Sequence, residues 1–376
     1  MRIGFDARYI NDRYHGIGRY AYELLVALTR IAPDHTFVIF QGRGQDSRFD
    51  WRTLKRLKNV ELLTGPWPLY WPHEQFIWPI FINRSNLDIF HSPFFVAPLF
   101  ARSSLPVLIT IHDLIFDRYP QYMPQSWGFP YYRLLMRLST RRARRVLAVS
   151  QATARDLKAF YAVPDLRLTV VSDGIDLEKW KQLTPADLLF FRQRYRLSSP
   201  FILSIGARRP HKNFNRLIEA FFRIQHQVPH DLVFAGPADR RFSDDAKLAA
   251  SKFALNGRVR FLDWVPEVDL PALYQLADLV AQPSLIEGFG LPVLEAMANG
   301  TAVLAANSSS FPEVVGDAGV LVDPYDVNQI ATTLLYTLHN GKVRRHLEQT
   351  GLKRAKEFNW EHIANRIIQI YQQVMI

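Results

Sequence analysis

Ile286-Glu287-Gly288-Phe289-Gly290-Leu291-Pro292-Val293-Leu294-Glu295-Ala296 reads as a glycine-rich turn running into a helix, with one carboxylate on each side of the turn. Pro292 suits the first helical position, where a missing N–H costs nothing, and Gly300 after Asn299 suits the stop. The N–H groups of Phe289, Gly290 and Leu291 then cluster at the positive end of the helix dipole, which makes an anion site. Carboxylates accept hydrogen bonds and donate none, so Glu287 and Glu295 beside an anion site point to a hydroxyl-rich ligand. A sugar joined to a phosphate meets both demands. Taken alone, the same pattern also describes an amphipathic helix whose acidic residues compensate the dipole.

The alternation of short apolar strands with amphipathic helices continues on both sides of this segment. Upstream, strands are expected at 3–5, 36–40, 60–63, 89–91, 107–111, 146–149 and 169–171. A glycine turn, His15-Gly16-Ile17-Gly18, leads into a helix whose face is Tyr20, Leu24, Ala27, Leu28 and Ile31, and Ser150 caps another over 151–161. A polar, proline-bearing stretch near 172–185 separates a second set of strands at 201–205, 232–235, 259–261, 279–281, 303–305 and 319–322. Helices are expected over 213–223, 270–277 and 292–298. The order predicts an α/β protein of two doubly wound, Rossmann-like parallel-sheet domains, 1–180 and 181–359. The last helix, 360–376, has no strand after it and is expected to complete the first domain. Two such halves place ligands where strand C-termini meet the cleft between them.

Composition narrows the classes. At 376 residues the chain is long for one core and comfortable for two. It has no cysteine, so neither a disulfide framework nor a thiolate metal site is available. It opens on a strand rather than a signal peptide, and no apolar run reaches the ~18 residues of a membrane span. The expected location is the cytoplasm, in solution or peripherally on the cytoplasmic membrane face. The net charge of +11 is concentrated in the first half, especially at Arg133, Arg137, Arg141, Arg142, Arg144 and Arg145. These arginines follow Trp127, Phe129, Tyr131, Tyr132, Leu134, Leu135 and Met136, and a basic, aromatic helix of this type fits an anionic membrane surface. An ordinary helix with a solvated arginine face has the same pattern. Nucleic acid is not expected as a partner, because zinc-finger spacing, an RNA-recognition signature and a basic tail are all missing from the sequence.

Four segments, in order, resemble the retaining glycosyltransferases of family four, which have the GT-B fold. They are the His15–Gly18 turn, Ile111-His112-Asp113-Leu114, Ser204-Ile205-Gly206-Ala207-Arg208-Arg209-Pro210-His211-Lys212-Asn213, and the segment from Glu287 to Glu295. The resemblance runs through Phe311-Pro312-Glu313-Val314-Val315-Gly316-Asp317-Ala318-Gly319 to the closing helix. It implies that Glu295 bonds donor ribose hydroxyls and Glu287 those of the transferred sugar, while the Phe289, Gly290 and Leu291 amides face sugar and diphosphate. Lys212 is a compact cation suited to the leaving diphosphate, whose charge grows in the transition state. The resemblance places His112 beside the donor sugar, and Asp113 either orients it or caps the next segment. Gly16 and Gly18 let backbone approach the diphosphate or acceptor, or merely let a helix pack. Many members carry arginine directly after the glycine matching Gly206. Here that residue is Ala207, so Arg208 is the preferred guanidinium for the diphosphate, with Arg209 as the other choice.

The sequence has no Asp-x-Asp, the signature of the metal-dependent design, so no metal and no cofactor are expected. The leaving charge then falls to Lys212, arginine and helix amides. Family resemblance implies retention at the anomeric carbon, and the expected route is front-face attack in which the departing phosphate oxygen takes the acceptor proton. Trp71-Pro72-His73-Glu74-Gln75-Phe76, with the overall pattern, is similar to bacterial mannosyltransferases that build surface polysaccharide. GDP-mannose is the favoured donor, ahead of UDP- or dTDP-sugars, and a glycan or lipid-linked saccharide the acceptor. The base is expected near Phe261-Leu262-Asp263-Trp264-Val265, with Val265 among the donor contacts and Trp264 either core or stacking face. Two other readings keep the fold: a non-catalytic nucleotide-sugar binder and a sugar-nucleotide epimerase.

Overall fold

In a computed structural model, residues 1–11, 15–43, 48–65, 69, 73–123, 128–255 and 257–375 are described, His15 by its backbone only. Trp71, Pro72 and Trp127, named above, lie outside the described residues. The chain divides into two units, Met1–Gly174 with Phe358–Ile376, and Ile175–Glu357.

Among the described residues the first unit has seven strands: β1 (Arg2–Asp6), β2 (Thr36–Gly42), β3 (Val60–Gly65), β4 (Ile89–Ser92), β5 (Val107–Ile111), β6 (Arg145–Ala148) and β7 (Leu168–Val170). They pair in the order β3-β2-β1-β4-β5-β6-β7, and every pair is parallel. Because side chains alternate along a strand, both faces of the sheet must be covered. Phe37 and Ile39 of β2 face one core and Val38 and Phe40 the other. The helix Trp360–Met375 sets Ile363, Ile367, Ile370 and Val374 into the core that also receives Leu24 and Leu28 of the helix His15–Ile31. Its apolar spacing of three and four residues is that of one helix face.

The second unit has six strands: β8 (Phe201–Ile205), β9 (Asp231–Ala235), β10 (Val259–Leu262), β11 (Leu279–Gln282), β12 (Val303–Ala306) and β13 (Val320–Val322). Their order is β10-β9-β8-β11-β12-β13, again all parallel. The helix Phe214–Ile224 supplies Phe214, Leu217, Ile218 and Phe221 to its core.

Local readings differ from the structure in four places. Gly16 and Gly18 do not form a turn ahead of a helix; they lie inside its first turns. A β-carbon at Gly18 would stand 2.7 Å from the Tyr9 carbonyl oxygen, so the helix lies this close to that carbonyl only with glycine here. Pro292 is the second residue of its helix, Leu291–Ala298, not the first. The helix Glu74–Arg84 was not foreseen: Pro79 lies within it and apolar residues cover both sides, which hides the period. The arginine run is not one helix face, because the helix Gly128–Arg142 ends within it and Arg145 already belongs to β6.

Candidate active site

β8 and β11 are the neighbours at which the strand order of the second sheet reverses, the usual place for a ligand in an open α/β sheet. Lys212 and Glu287 hang from the C-terminal ends of these two strands. After β8 the chain passes through Gly206 at φ +141°, where a β-carbon would stand 3.0 Å from Lys212 Cε. Gly236, after β9 at φ +144°, lies closer still: its β-carbon would be 2.2 Å from the Gly206 carbonyl oxygen. Only glycine fits this crossing. Pro210–Lys212 forms a single 3₁₀ turn that ends on Asn213 in the left-handed conformation, φ +59°.

That turn is tied to the loop after β11. The Leu285 N–H donates to the His211 carbonyl at 2.8 Å. Asn213 Nδ2 donates to the carbonyls of Pro283 at 2.9 Å and Pro324 at 2.7 Å. The loop is fixed from its other side by Ser310, whose hydroxyl donates to the carbonyls of Glu287 at 3.1 Å and Phe289 at 2.7 Å. Held this way, Lys212 Nζ donates to Glu287 Oε1 at 2.7 Å, with the two side chains only 12% and 14% exposed. Burial pushes the Glu287 carboxyl up, but the Lys212 ammonium and the nearby His211 outweigh it and hold the group below its ordinary value. His211 is held at about 4, chiefly by burial.

Gly290 adopts φ +107° just before the helix Leu291–Ala298, and a β-carbon there would meet the Phe311 ring at 2.8 Å. Its carbonyl accepts from the Val293 and Leu294 amides, so the first N–H groups of the helix stand ahead of that ladder. Glu295 is buried, and its Oε2 accepts from the Tyr274 hydroxyl at 2.6 Å. Tyr274 packs edge-on against Trp180. Arg208 is buried as well: Nε grips Asp244, Nη1 donates to the Gly236 carbonyl at 2.8 Å and Nη2 to Asp263 at 2.6 Å. Its guanidinium therefore clamps the ends of β8, β9 and β10, while the Arg209 side chain, with Nε on Asp239, is partly exposed. Val265 is half-buried, and Trp264 is exposed rather than core.

In the first unit, His112 follows β5. Its Nε2 lies 2.9 Å from the Pro93 carbonyl, which can only accept, so Nε2 carries the proton and Nδ1 is left as an acceptor. Burial holds the imidazole at about 4, and it is neutral near pH 7. The ring stands edge-on to Tyr20 at 4.7 Å. Asp113 Oδ1 accepts from the Ile115 N–H at 3.1 Å, at the first residue of the helix Ile115–Arg118. Gly16 is exposed and Gly18 buried in the helix His15–Ile31, which follows β1 in the chain.

Several polar residues around these groups are not among those the sequence motifs single out. Tyr371 Oη, His91 Nδ1, His91 Nε2 and Thr110 Oγ1 form a buried chain with links of 2.7 and 2.9 Å. Arg8 is buried between Asp6 and Glu74, at 2.7 and 2.8 Å. Buried Asp173 is pushed up to about 7 by desolvation, against the pull of Arg19. Polarity at strand ends (Asp6, His91) was the available clue. Among the described residues no group of three or more His, Cys, Asp or Glu is arranged to hold a metal ion, and no helix is long and apolar enough to cross a membrane.

Residues 187–354 match the family described as Glycosyl transferases group 1, and residues 14–179 match Glycosyltransferase Family 4. The O-antigen chain mannosyltransferase B of Escherichia coli is 30% identical over 390 residues, spanning 99% of this chain and all of that one. The serotype-specific mannosyltransferase WbdA of E. coli is 29% identical over 239 residues, which is 62% of this chain and 29% of that longer protein. Among solved structures, Anabaena HepE in complex with UDP and glucose superposes with a TM-score of 0.78 at 20% identity, covering 99% of this chain and 100% of that one.

Proposed function

The chain belongs to the group 1 and family 4 glycosyltransferases and has the GT-B fold of two Rossmann-like parallel-sheet domains; from that premise we propose that it moves mannose from GDP-mannose onto a growing glycan or lipid-linked saccharide of a cell-surface polysaccharide. The observation that carries this reading is the Lys212–Glu287 pair at the switch point of the second sheet. A buried ammonium and carboxylate held together by glycines and loop carbonyls form a site that a diphosphate and a sugar can take apart. Lys212 turns to the diphosphate, and Glu287 accepts from sugar hydroxyls. The Gly290 and Leu291 amides face the same charge, with a guanidinium from Arg208 or Arg209 beside them. Glu295 takes the ribose hydroxyls. Neutral His112 accepts through Nδ1 from a hydroxyl of the transferred sugar.

Reaction is by front-face attack with retention. The bond from the anomeric carbon to the phosphate oxygen breaks, and the acceptor oxygen bonds to the same face. The departing phosphate oxygen takes the acceptor proton, so no enzyme nucleophile and no metal are required. The mannosyl preference rests on the two mannosyltransferases to which the chain is similar. A panel of GDP-, UDP- and dTDP-sugars tests it through released nucleoside diphosphate. GDP-mannose should give the fastest release; preference for another donor overturns the assignment, and epimerised donor without release overturns transfer itself.

A further inference from the structure

The N-terminal edge of the first sheet carries an open-sided cavity of about 510 Å³. Its walls are residues 103–106, 141–145 and 166–167, which lead into β5, β6 and β7, together with 373–374 of the closing helix. Five of the lining residues are arginines, Arg141, Arg142, Arg144, Arg145 and Arg167, and none is Asp or Glu. Among the described residues none of the five has a carboxylate partner. Three are oriented by carbonyls instead. Arg142 Nη2 donates to the carbonyls of Arg102 and Leu105, both at 3.1 Å. Arg145 Nη1 donates to the Leu166 carbonyl at 2.5 Å, and Arg167 Nη1 to that of Arg141 at 3.2 Å. Arg145 Nε is buried with no acceptor at all. Arg141 and Arg144 remain exposed.

Carbonyl bonds fix guanidinium planes without cancelling their charge. Like charges gathered on one concave surface repel, and a multivalent oxyanion relieves that repulsion while matching the donor forks. We propose that this cavity is a phosphate-binding site, separate from the transfer machinery, that takes the phosphate of an anionic lipid headgroup or of a soluble phosphoester. Separation follows from the sheet: β5 leaves this edge and ends at Ile111, just before His112, a run of roughly 17 Å for five residues. A molecule in the cavity is therefore not the one held at His112.

The neighbouring surface favours the lipid source. The helix Glu74–Arg84 turns Phe76 and Ile80 outward, 65% and 47% exposed, and Phe100, 59% exposed, stacks on Phe76. Asn83, in the last turn of that helix, accepts from the Arg102 N–H at 2.8 Å, and Arg102 is the residue whose carbonyl Arg142 grips. An exposed apolar helix face joined to an arginine cavity suits a bilayer with anionic headgroups.

Arginine modification by phenylglyoxal, mapped by mass spectrometry on the full chain, tests the site. Inorganic phosphate should protect Arg141 and Arg144 but not the exposed controls Arg56 and Arg345. Phosphatidylglycerol vesicles should protect the same pair at a phosphate concentration about tenfold lower, and phosphatidylcholine vesicles should not. Protection by phosphate with no advantage for anionic vesicles assigns a soluble phosphoester to the site. Protection by neither, or equal protection of the controls, overturns the proposal. The variant Arg141→Glu/Arg144→Glu, altered only at exposed positions, should lose anionic-vesicle cosedimentation about tenfold or more while turnover on a soluble acceptor stays at the parent level. Cosedimentation equal to the parent's overturns the lipid source.

Discussion

Replacing Lys212 by Met separates a catalytic lysine from a merely structural one. Nζ and Oε1 stand 2.7 Å apart in a site where both side chains are largely buried. With an effective dielectric of ~20, the attraction across that distance is about 6 kcal/mol, most of it offset by desolvation. Removing one partner leaves Glu287 buried and unpaired, so Lys212→Met should cost about 3–5 kcal/mol of stability. Adding Glu287→Gln removes the orphaned charge and should recover most of that loss. Turnover should behave differently. If Lys212 meets the leaving diphosphate, kcat falls by roughly 10²–10³ in Lys212→Met and stays low in the double variant. Urea unfolding reports the stability, and nucleoside diphosphate release reports kcat. A double variant that regains parent turnover together with its stability would refute the catalytic role and leave the pair as a structural bridge.

Glu295→Ala should weaken nucleoside diphosphate binding by about 1–3 kcal/mol, read by calorimetry, whereas unchanged affinity would remove Glu295 from the ribose. Gly290→Ala should destabilise the second unit and abolish donor binding, because φ +107° and the Phe311 ring both oppose a β-carbon; a stable, active variant would contradict that reading. His91, His112 and His211 are held at about 3, 4 and 4, below the 6.5 of an unfolded histidine, so their stability is complete above pH 6.5 and declines as pH falls towards 4. Asp173, pushed up to about 7, works in the opposite sense below pH 7 and offsets roughly one of the three. Urea midpoints should therefore show a net loss of roughly 2–3 kcal/mol per pH unit near pH 5, and a flat profile would contradict the buried histidines. Turnover should persist in excess EDTA; loss that magnesium or manganese restores would overturn the metal-free scheme.

Much of the fold was legible because parallel strands buried on both faces are short, continuous apolar runs. β5 and β8 were read to the residue, as was the helix Gln151–Tyr161, whose Ser150 cap does accept from the Thr153 amide at 3.0 Å. The helix Glu74–Arg84 was not legible, since Pro79 and an apolar exposed face carry neither helical period nor capping. At the site, motif spacing singled out Lys212 and Glu287, and the structure brings them into contact from two strands. It could not single out Tyr274 behind Glu295, nor the Arg208 clamp on Asp244 and Asp263. Those partners are ordinary in type and lie 21 to 55 residues away; packing of the helices Leu270–Leu276 and Leu291–Ala298 assembles the first pair, and the ends of β8, β9 and β10 assemble the second.

The configuration of the product tests retaining mannosyl transfer most directly. GDP-α-mannose and a saccharide acceptor, turned over by the purified chain, yield a glycoside whose one-bond carbon–hydrogen coupling at the anomeric centre reports α or β linkage. The account predicts an α-mannoside. A β-mannoside, or no mannoside from any nucleotide sugar while the chain remains folded, would contradict it.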